Sequence, residues 1–270
     1  MVLFPNAKIN LGLNVIRKRP DSYHDLETVF YKVNIKDALE VIPSAEMAFH
    51  LSGLPVNGNR DDNLCVKAYQ LLKKDFTHLP PVTIYLYKAI PMGAGLGGGS
   101  ADGAFMLSML NDKFRLHLTQ QQLIDYALQL GSDCPFFIIN KPCFAAGRGE
   151  NLLPVEVDLS AYKIVLINPG IHVSTKEAFS TLTPKIPEKS IRQIISQHIS
   201  TWKNELANDF ERNVFKLFPE IKEIKNNLYD AGAIYASMTG SGSSVFGIFE
   251  VNAQLNFSFP DHYIYITSQA

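Results

Sequence analysis

PMGAGLGGGSADGA, residues 91–104, is the stretch that decides how this chain is read. Five glycines (Gly93, Gly95, Gly97, Gly98 and Gly99) fall within seven positions, followed by Ser100 and a small-residue run that leads into an apolar helix. Immediately upstream, VTIYLYKAI (82–90) alternates apolar and polar residues of β-branched and aromatic type, the pattern of a strand. Strand, glycine loop and helix N-terminus together make an anion cradle. Glycines let a ligand approach the backbone and meet successive N–H groups, and a helix opening near Ser100 adds unpaired amides and the positive end of its dipole. The expected ligand is a nucleotide polyphosphate. The competing reading is a flexible turn with Ser100 as a plain helix N-cap. The abrupt passage between two strongly patterned elements, without polar spacers, weighs against it.

Three kinds of phosphate loop compete for this stretch. A Walker A loop requires lysine directly after its last glycine, and no Gly-Lys pair occurs here. A dinucleotide fingerprint is formally met by Gly93, Gly95 and Gly98, but it wants a βαβ unit with an acidic residue about 20 positions on. Residues 119–130, TQQQLIDYALQL, read instead as a second helix. The third kind fits: the loop resembles the glycine-serine loop of the GHMP kinases, the superfamily of galactokinase, homoserine kinase, mevalonate kinase and phosphomevalonate kinase. Further stretches carry the same resemblance in the same order: PNAKINLGLNVIRKRPDSYHDLETVF (5–30), GSDCPFF (131–137), GRGE (147–150), NDFE (208–211) and MTGSGSSVFG (238–247). They point to the branch that uses ATP to phosphorylate the 2-hydroxyl of a substrate carrying a cytidine diphosphate group, in isoprenoid precursor synthesis. A kinase for another small alcohol, of homoserine or mevalonate type, and a non-catalytic nucleotide-binding protein on the same fold are the alternatives.

With 270 residues the chain is long enough for one large or two ordinary domains with a substantial core. Its 25 basic and 26 acidic residues are interspersed, so no basic stripe suggests nucleic acid. Three widely spaced cysteines (Cys65, Cys134, Cys143) make neither a disulfide framework nor a zinc site, which suggests a reducing compartment. The opening MVLFPNAKIN runs almost directly into a strand pattern, and no apolar run is long enough to span a membrane. The expectation is a soluble cytoplasmic protein, monomer or homodimer, acting on a small molecule.

Strands are expected over 7–17, 28–34, 39–42, 47–51, 82–90, 162–170, 234–238, 244–249 and 263–267. Helices are expected over 63–76, from about Ser100, over 119–130 between a Thr119 N-cap and a Gly131 stop, and over about 174–181, 188–198 and 219–230. Residues 140–154 read as a Pro- and Gly-punctuated stretch, and a boundary near 155–160 divides the chain into 1–157 and 158–270. Antiparallel strand pairs with segregated helices argue for an α+β fold. The GHMP resemblance implies an N-terminal lobe like the second domain of ribosomal protein S5 and a C-terminal ferredoxin-like lobe, with the active site in the cleft between them.

Phosphoryl transfer needs a polyphosphate cradle, charge neutralisation, an in-line hydroxyl and often a base for its proton. Asp133 follows a glycine helix stop and precedes Pro135, Phe136 and Phe137, which leaves two readings, a cap for the next turn or a base beside apolar residues that restrict water. Lys8 on the first strand is either an edge lysine facing water or an ammonium steadying charge on the attacking oxygen. The resemblance implies the catalytic role for both. Asn10, two residues on, shares the Lys8 face and suits a substrate-orienting amide.

Tyr23 and His24 follow the turn-forming Pro20-Asp21-Ser22, where half-buried packing is the ordinary fate of such a pair. The resemblance implies that Tyr23 stacks on cytosine, that His24 bonds its polar edge, and that Phe179 closes the other side. It also implies nucleotide contacts for Asn63 and Lys88 alongside Pro91, Met92, Gly93, Ala94, Gly95, Leu96, Gly97, Gly98, Gly99, Ser100 and Ala101, and an acceptor-facing turn at Gly240-Ser241. Lys88 also reads as a solvated strand residue. Glu150, Asn208 and Asp209 read as structural or supporting groups. Two positions depart from the family pattern: Ser22 stands where glycine is usual, and costs stability if φ there is positive, and Ala101 stands where a second serine is usual.

Overall fold

The computed structural model describes residues 1–56, 58–179 and 182–269. In chain order the first half holds β1 (Val2–Leu3), β2 (Asn6–Lys18), β3 (His24–Lys36), β4 (Ala38–Pro43), β5 (Ala48–Gly53), α1 (Leu64–Asp75), β6 (Val82–Lys88), α2 (Gly98–Phe114), α3 (Gln120–Leu130) and α4 (Cys134–Ile139). The second half holds β7 (Cys143–Gly147), β8 (Asn151–Pro154), β9 (Tyr162–Asn168), α5 (Thr175–Phe179) and α6 (Ile191–Ile195). It continues with α7 (Trp202–Glu205), α8 (Glu211–Leu217), α9 (Pro219–Asp230), β10 (Tyr235–Met238), β11 (Val245–Glu250) and β12 (Ile264–Gln269).

Two compact units result. The first gathers residues 1–7, 35–92 and 97–141, the second residues 8–34, 93–96 and 142–270. In the first unit a sheet runs in the order β1-β4-β6-β5, antiparallel except for the parallel β5–β6 pair. Strand alternation sets its faces: Val82, Ile84, Leu86 and Lys88 of β6 point inward and Tyr85 and Tyr87 outward. Small residues let the helices close up. A Cβ on Gly103 of α2 would come within 2.9 Å of Leu64 Cβ and 3.3 Å of Leu130 Cδ1. Thr119 caps α3 in a reciprocal box with Gln122, and the helix ends at Gly131, as the sequence suggests.

The second unit holds two sheets, β2-β3-β7-β8 and β10-β11-β9-β12. The latter is antiparallel throughout, with Phe246 opposite Leu166 and Ile266 opposite Leu166 on the other side. Its inner face (Val165, Ile167, Ala236, Met238, Val245, Phe249) packs with Phe210, Val214, Ile221, Ile224 and Leu228 into one apolar core. Mixed helices and mostly antiparallel strands are the α+β arrangement expected. Residues 140–154 are not merely a punctuated loop, because β7 pairs with both β3 and β8 there. The helix expected over 174–181 is realised as Thr175–Phe179, and its last two positions lie outside the described residues. The one expected over 188–198 shortens to Ile191–Ile195, capped by Ser190.

Beneath the end of β6 lies a buried ionic cluster. The Lys88 ammonium donates to Asp37 and, at 2.6 Å, to Asp102 on the second turn of α2. Asp37 Oδ1 also accepts the N–H groups of Ala89 (2.6 Å) and Ile90 (2.8 Å). Lys88 is only 1 % exposed, so the solvated-strand reading of this residue is wrong. Its inward register, shared with Ile84 and Leu86, is the physical reason. Replacing it by methionine leaves two carboxylates facing each other in a dry interior, and Lys88→Met is expected to cost about 3–5 kcal/mol in urea melts at pH 7.

Candidate active site

The glycine loop divides between the compact units, residues 91–92 and 97–101 falling in the first and 93–96 in the second. In the first unit the helix after the loop opens at Gly98, and its N-cap is Gly97 in the left-handed region (φ 69°) with no side-chain cap. Ser100 is therefore inside the helix, which removes the plain N-cap reading. The Ala101 N–H is bonded to the Gly97 carbonyl at 2.9 Å, so the amides ahead of it lack intrahelical acceptors. Those amides and the helix dipole favour an anion. Gly98 packs on Ile90, and a Cβ on Gly99 would meet only the flexible end of Met92, at 3.4 Å. Ala101 is fully buried, so this position offers the loop neither a hydroxyl nor a surface.

Asn63, expected near a nucleotide, accepts the Cys65 N–H at 2.9 Å and so caps α1. Asp133 occupies the N-cap position of α4, but its side chain makes no cap hydrogen bond, so the capping reading does not hold. Burial pushes the neighbouring Cys134 thiol up to about 12, beside the Ser100 hydroxyl. All three cysteines are buried and free.

In the second unit Gly93, Ala94, Gly95 and Leu96 cross the turn after β10. Gly95 (φ 77°) is so close to it that a Cβ would lie 2.0 Å from the Thr239 carbonyl oxygen, and Gly240 (φ 58°) abuts Gly95 in return. The Gly95 carbonyl accepts from Lys8 Nζ at 3.1 Å. Lys8 also donates to Asn10 Oδ1 at 2.7 Å, as the shared strand face suggests, and its own N–H bonds the Leu96 carbonyl. It is 3 % exposed and lies over the Phe30 ring, so it is not an edge lysine facing water.

Asn10 is engaged on all sides. Its Nδ2 donates to Thr28 Oγ1, its N–H donates to Thr239 Oγ1, and the Thr239 hydroxyl lies 3.1 Å from both Asn10 Oδ1 and the Gly95 carbonyl. At 2 % exposure Asn10 orients Lys8 and offers no open face to a substrate. Thr239 was not singled out from the sequence, where attention falls on the glycines that follow it. A hydroxyl directly before a tight glycine turn was the available signal. Asn208 ties the same turn through Nδ2 to the Met238 and Gly240 carbonyls, and Asp209 accepts the Val15 N–H, so both are structural, as expected. Glu150 accepts the Arg148 N–H at 2.5 Å.

The Tyr23–His24 turn is braced by Arg19, whose guanidinium bonds Asp21 and Asp25. Tyr23 is 56 % exposed, with the Arg148 guanidinium 5.0 Å from its ring centroid, so half-buried packing does not describe it. His24 and Phe179 lie face to face at 4.5 Å and 20°, and Phe179 meets Phe210 edge-on. Burial, reinforced by Lys18, holds the His24 pKa below its usual value, so the imidazole is neutral at pH 7 with one donor and one acceptor nitrogen. Ser22 has φ 69°, the left-handed strain anticipated for a non-glycine there. Ser22→Gly is therefore expected to raise stability by about 0.5–1 kcal/mol in chemical denaturation.

Comparison with known proteins identifies the family. Residues 63–141 match the family description "GHMP kinases N terminal domain" and residues 190–256 match "GHMP kinases C terminal". A 4-diphosphocytidyl-2-C-methyl-D-erythritol kinase of Bacteroides fragilis is 56 % identical over 253 residues, covering 92 % of each chain. A crystal structure of 4-(cytidine 5'-diphospho)-2C-methyl-D-erythritol kinase superposes with a TM-score of 0.80 at 32 % identity, covering 92 % of this chain and 90 % of its own. The mevalonate kinase of Methanococcus jannaschii, at 14 % identity and a TM-score of 0.69 over 94 % of this chain and 92 % of its own, shares the fold alone. The chain thus belongs to the 4-diphosphocytidyl-2-C-methyl-D-erythritol kinase family of the GHMP kinases.

Proposed function

We propose that this protein transfers the γ-phosphoryl group of ATP to the 2-hydroxyl of 4-diphosphocytidyl-2-C-methyl-D-erythritol, giving the 2-phosphate and ADP in the methylerythritol-phosphate route to isoprenoid precursors. One observation carries the reading most: a buried lysine, Lys8, is held by Asn10 and by the carbonyl of a loop glycine, Gly95. Such an ammonium is fixed in direction and needs little reorganisation when charge develops. The left-handed glycines and the unpaired amides at the head of α2 fit a polyphosphate. Mg²⁺, when bound with ATP over the amides at the head of α2, would neutralise charge on the phosphates.

In this mechanism the loop from Pro91 to Ala101 holds the donor and excludes water from it, with Asn63 and Lys88 supporting its surroundings. Asp133 takes the proton of the acceptor hydroxyl as its oxygen forms the bond to phosphorus and the bond to the ADP oxygen breaks, the electron pair leaving with ADP. Lys8 steadies the charge on the attacking oxygen. Tyr23, exposed, supplies the face on which cytosine stacks, while neutral His24, backed by Phe179, offers a donor and an acceptor to the base edge. Gly240 and Ser241 face the acceptor. The two lobes are assigned to 1–157 and 158–270 on the family matches that fall on either side of this boundary, although residues 8–34 and 142–157 group with the second compact unit.

The test is ADP release from ATP and Mg²⁺ with the cytidyl acceptor, homoserine, mevalonate or no acceptor. Turnover is expected with the cytidyl acceptor alone, and Asp133→Asn is expected to lower kcat at least about 100-fold. Turnover with another alcohol would retain the kinase and discard the Tyr23–His24 clamp. The loop assignment has its own test in Gly99→Asp, which has room for its side chain and places a carboxylate where the phosphates are expected. It is expected to raise the KM for ATP about tenfold or more while the melting temperature holds, since an acidic residue suits a helix N-terminus.

A further inference from the structure

The ionic cluster beneath the glycine loop has more acid than base. Asp37, Lys88 and Asp102 are almost wholly sealed from solvent, and one ammonium faces two carboxylates. Asp37 is well supplied, with two backbone N–H groups and Lys88. Asp102 is not: Oδ2 accepts from Lys88, Asp37 faces it as a second carboxylate, and Oδ1 is buried with no hydrogen-bond partner among the described residues. An ionised carboxylate in that position leaves an unsatisfied oxygen in a dry interior and gives the cluster a net charge of about −1. A protonated one makes the cluster neutral.

The cluster also touches the loop at both ends. Asp37 binds the amides of Ala89 and Ile90, directly before Pro91. A Cβ on Gly98 would come within 3.3 Å of Lys88 Nζ, so the ammonium lies close beside the first residue of α2. The groups acting on Asp102 are accordingly Lys88 from β6 and Asp37 from the β3–β4 junction. Helix α1 presents the Cys65 thiol, kept protonated by burial, and α3 and α4 pack on α2 through Leu130 and Cys134, the latter also a protonated thiol.

We propose that Asp102 is a positioning residue for nucleotide use, acting through Lys88 and Asp37, and that the loop holds polyphosphate well only while Asp102 carries a proton. This rests on the assignment of the glycine loop as the ATP cradle. Burial first, and then the Asp37 charge, push the Asp102 carboxyl up to about 8 against the pull of Lys88. Below that pH the cluster is neutral under the loop. Above it a negative charge faces the phosphates.

The experiment is the KM for ATP at saturating acceptor and Mg²⁺ between about pH 7 and 9.5, for wild type and Asp102→Asn, with Asp102→Ser in reserve should the first variant not fold. In wild type the KM is expected to rise about fivefold above pH 8, whereas in the neutral variant it stays within about twofold. Thermal melts give a readout independent of activity. The folded state keeps a proton that the unfolded chain releases near pH 4, so wild type loses stability from about pH 4 to 8 and then levels off, and Asp102→Asn lacks this slope. A variant whose KM climbs in parallel with wild type, or a wild type with a flat profile, overturns the proposal. If Gly99→Asp leaves the KM for ATP unchanged, the loop assignment itself fails. If Gly99→Asp raises it while Asp102→Asn tracks wild type, only the role of Asp102 fails.

Discussion

A backbone contact that only glycine permits organises the surroundings of the buried Lys8. Gly95 meets the Thr239 carbonyl at a distance no Cβ survives, in a left-handed conformation that side chains rarely adopt. Because the two segments approach so closely, one loop carbonyl reaches both Lys8 and the Thr239 hydroxyl. Asn10 closes the arrangement from the strand side, with Thr28 beneath it. A lysine side chain has four rotatable bonds and gains most from such bracing, since its ordering is complete before any substrate arrives.

Before Pro91 and at the head of α2, the same loop borders charge that is almost wholly buried. Lys88, Asp37 and Asp102 form a cluster whose attraction is large and whose desolvation cost is also large. What it supplies is direction: the amides before Pro91 are tied to Asp37, and the head of α2 lies close beside Lys88. Hydrophobic packing alone, being non-directional, would not fix a glycine-rich segment in this way. A loop lacking side chains has to be held through its backbone, as the amides before Pro91 and the Gly95 carbonyl are here.

Periodicity carried the reading of regular elements where the pattern was long. Strand β2, the helices opening after Asn63 and Thr119, and the helix from Pro219 stand close to where alternation, caps and breakers put them. It failed where elements are short and their partners distant. β7 and β8, punctuated by glycine and proline, exist because β3 is there to pair with them. α7 and α8, at four and seven residues, have too little length to show a period. The set-aside reading of Ser100 as a cap is excluded, since the left-handed Gly97 starts the helix sooner. For Lys88 the signal was present and unused, since β6 alternates and places residue 88 on the face of Ile84 and Leu86.

By itself the sequence determined the glycine loop, its strand and helix flanks, and the presence of a lysine, an aspartate and a Tyr-His turn in a fixed order along the chain. The loop and its flanks follow from local chemistry, namely glycine's freedom at positive φ, the two-residue period of strands and the preferences of helix ends, whereas the lysine, the aspartate and the Tyr-His turn were picked out by the GHMP resemblance. Only the tertiary structure decided what each polar side chain does. It turned Asn10 inward to orient Lys8, spent the Asn63 oxygen on a helix cap, brought Thr239 from far along the chain to Gly95, and set two carboxylates on one buried ammonium. Burial and partner are properties of non-local contact, and a residue's charge and hydrogen bonds are fixed by them rather than by its neighbours in sequence.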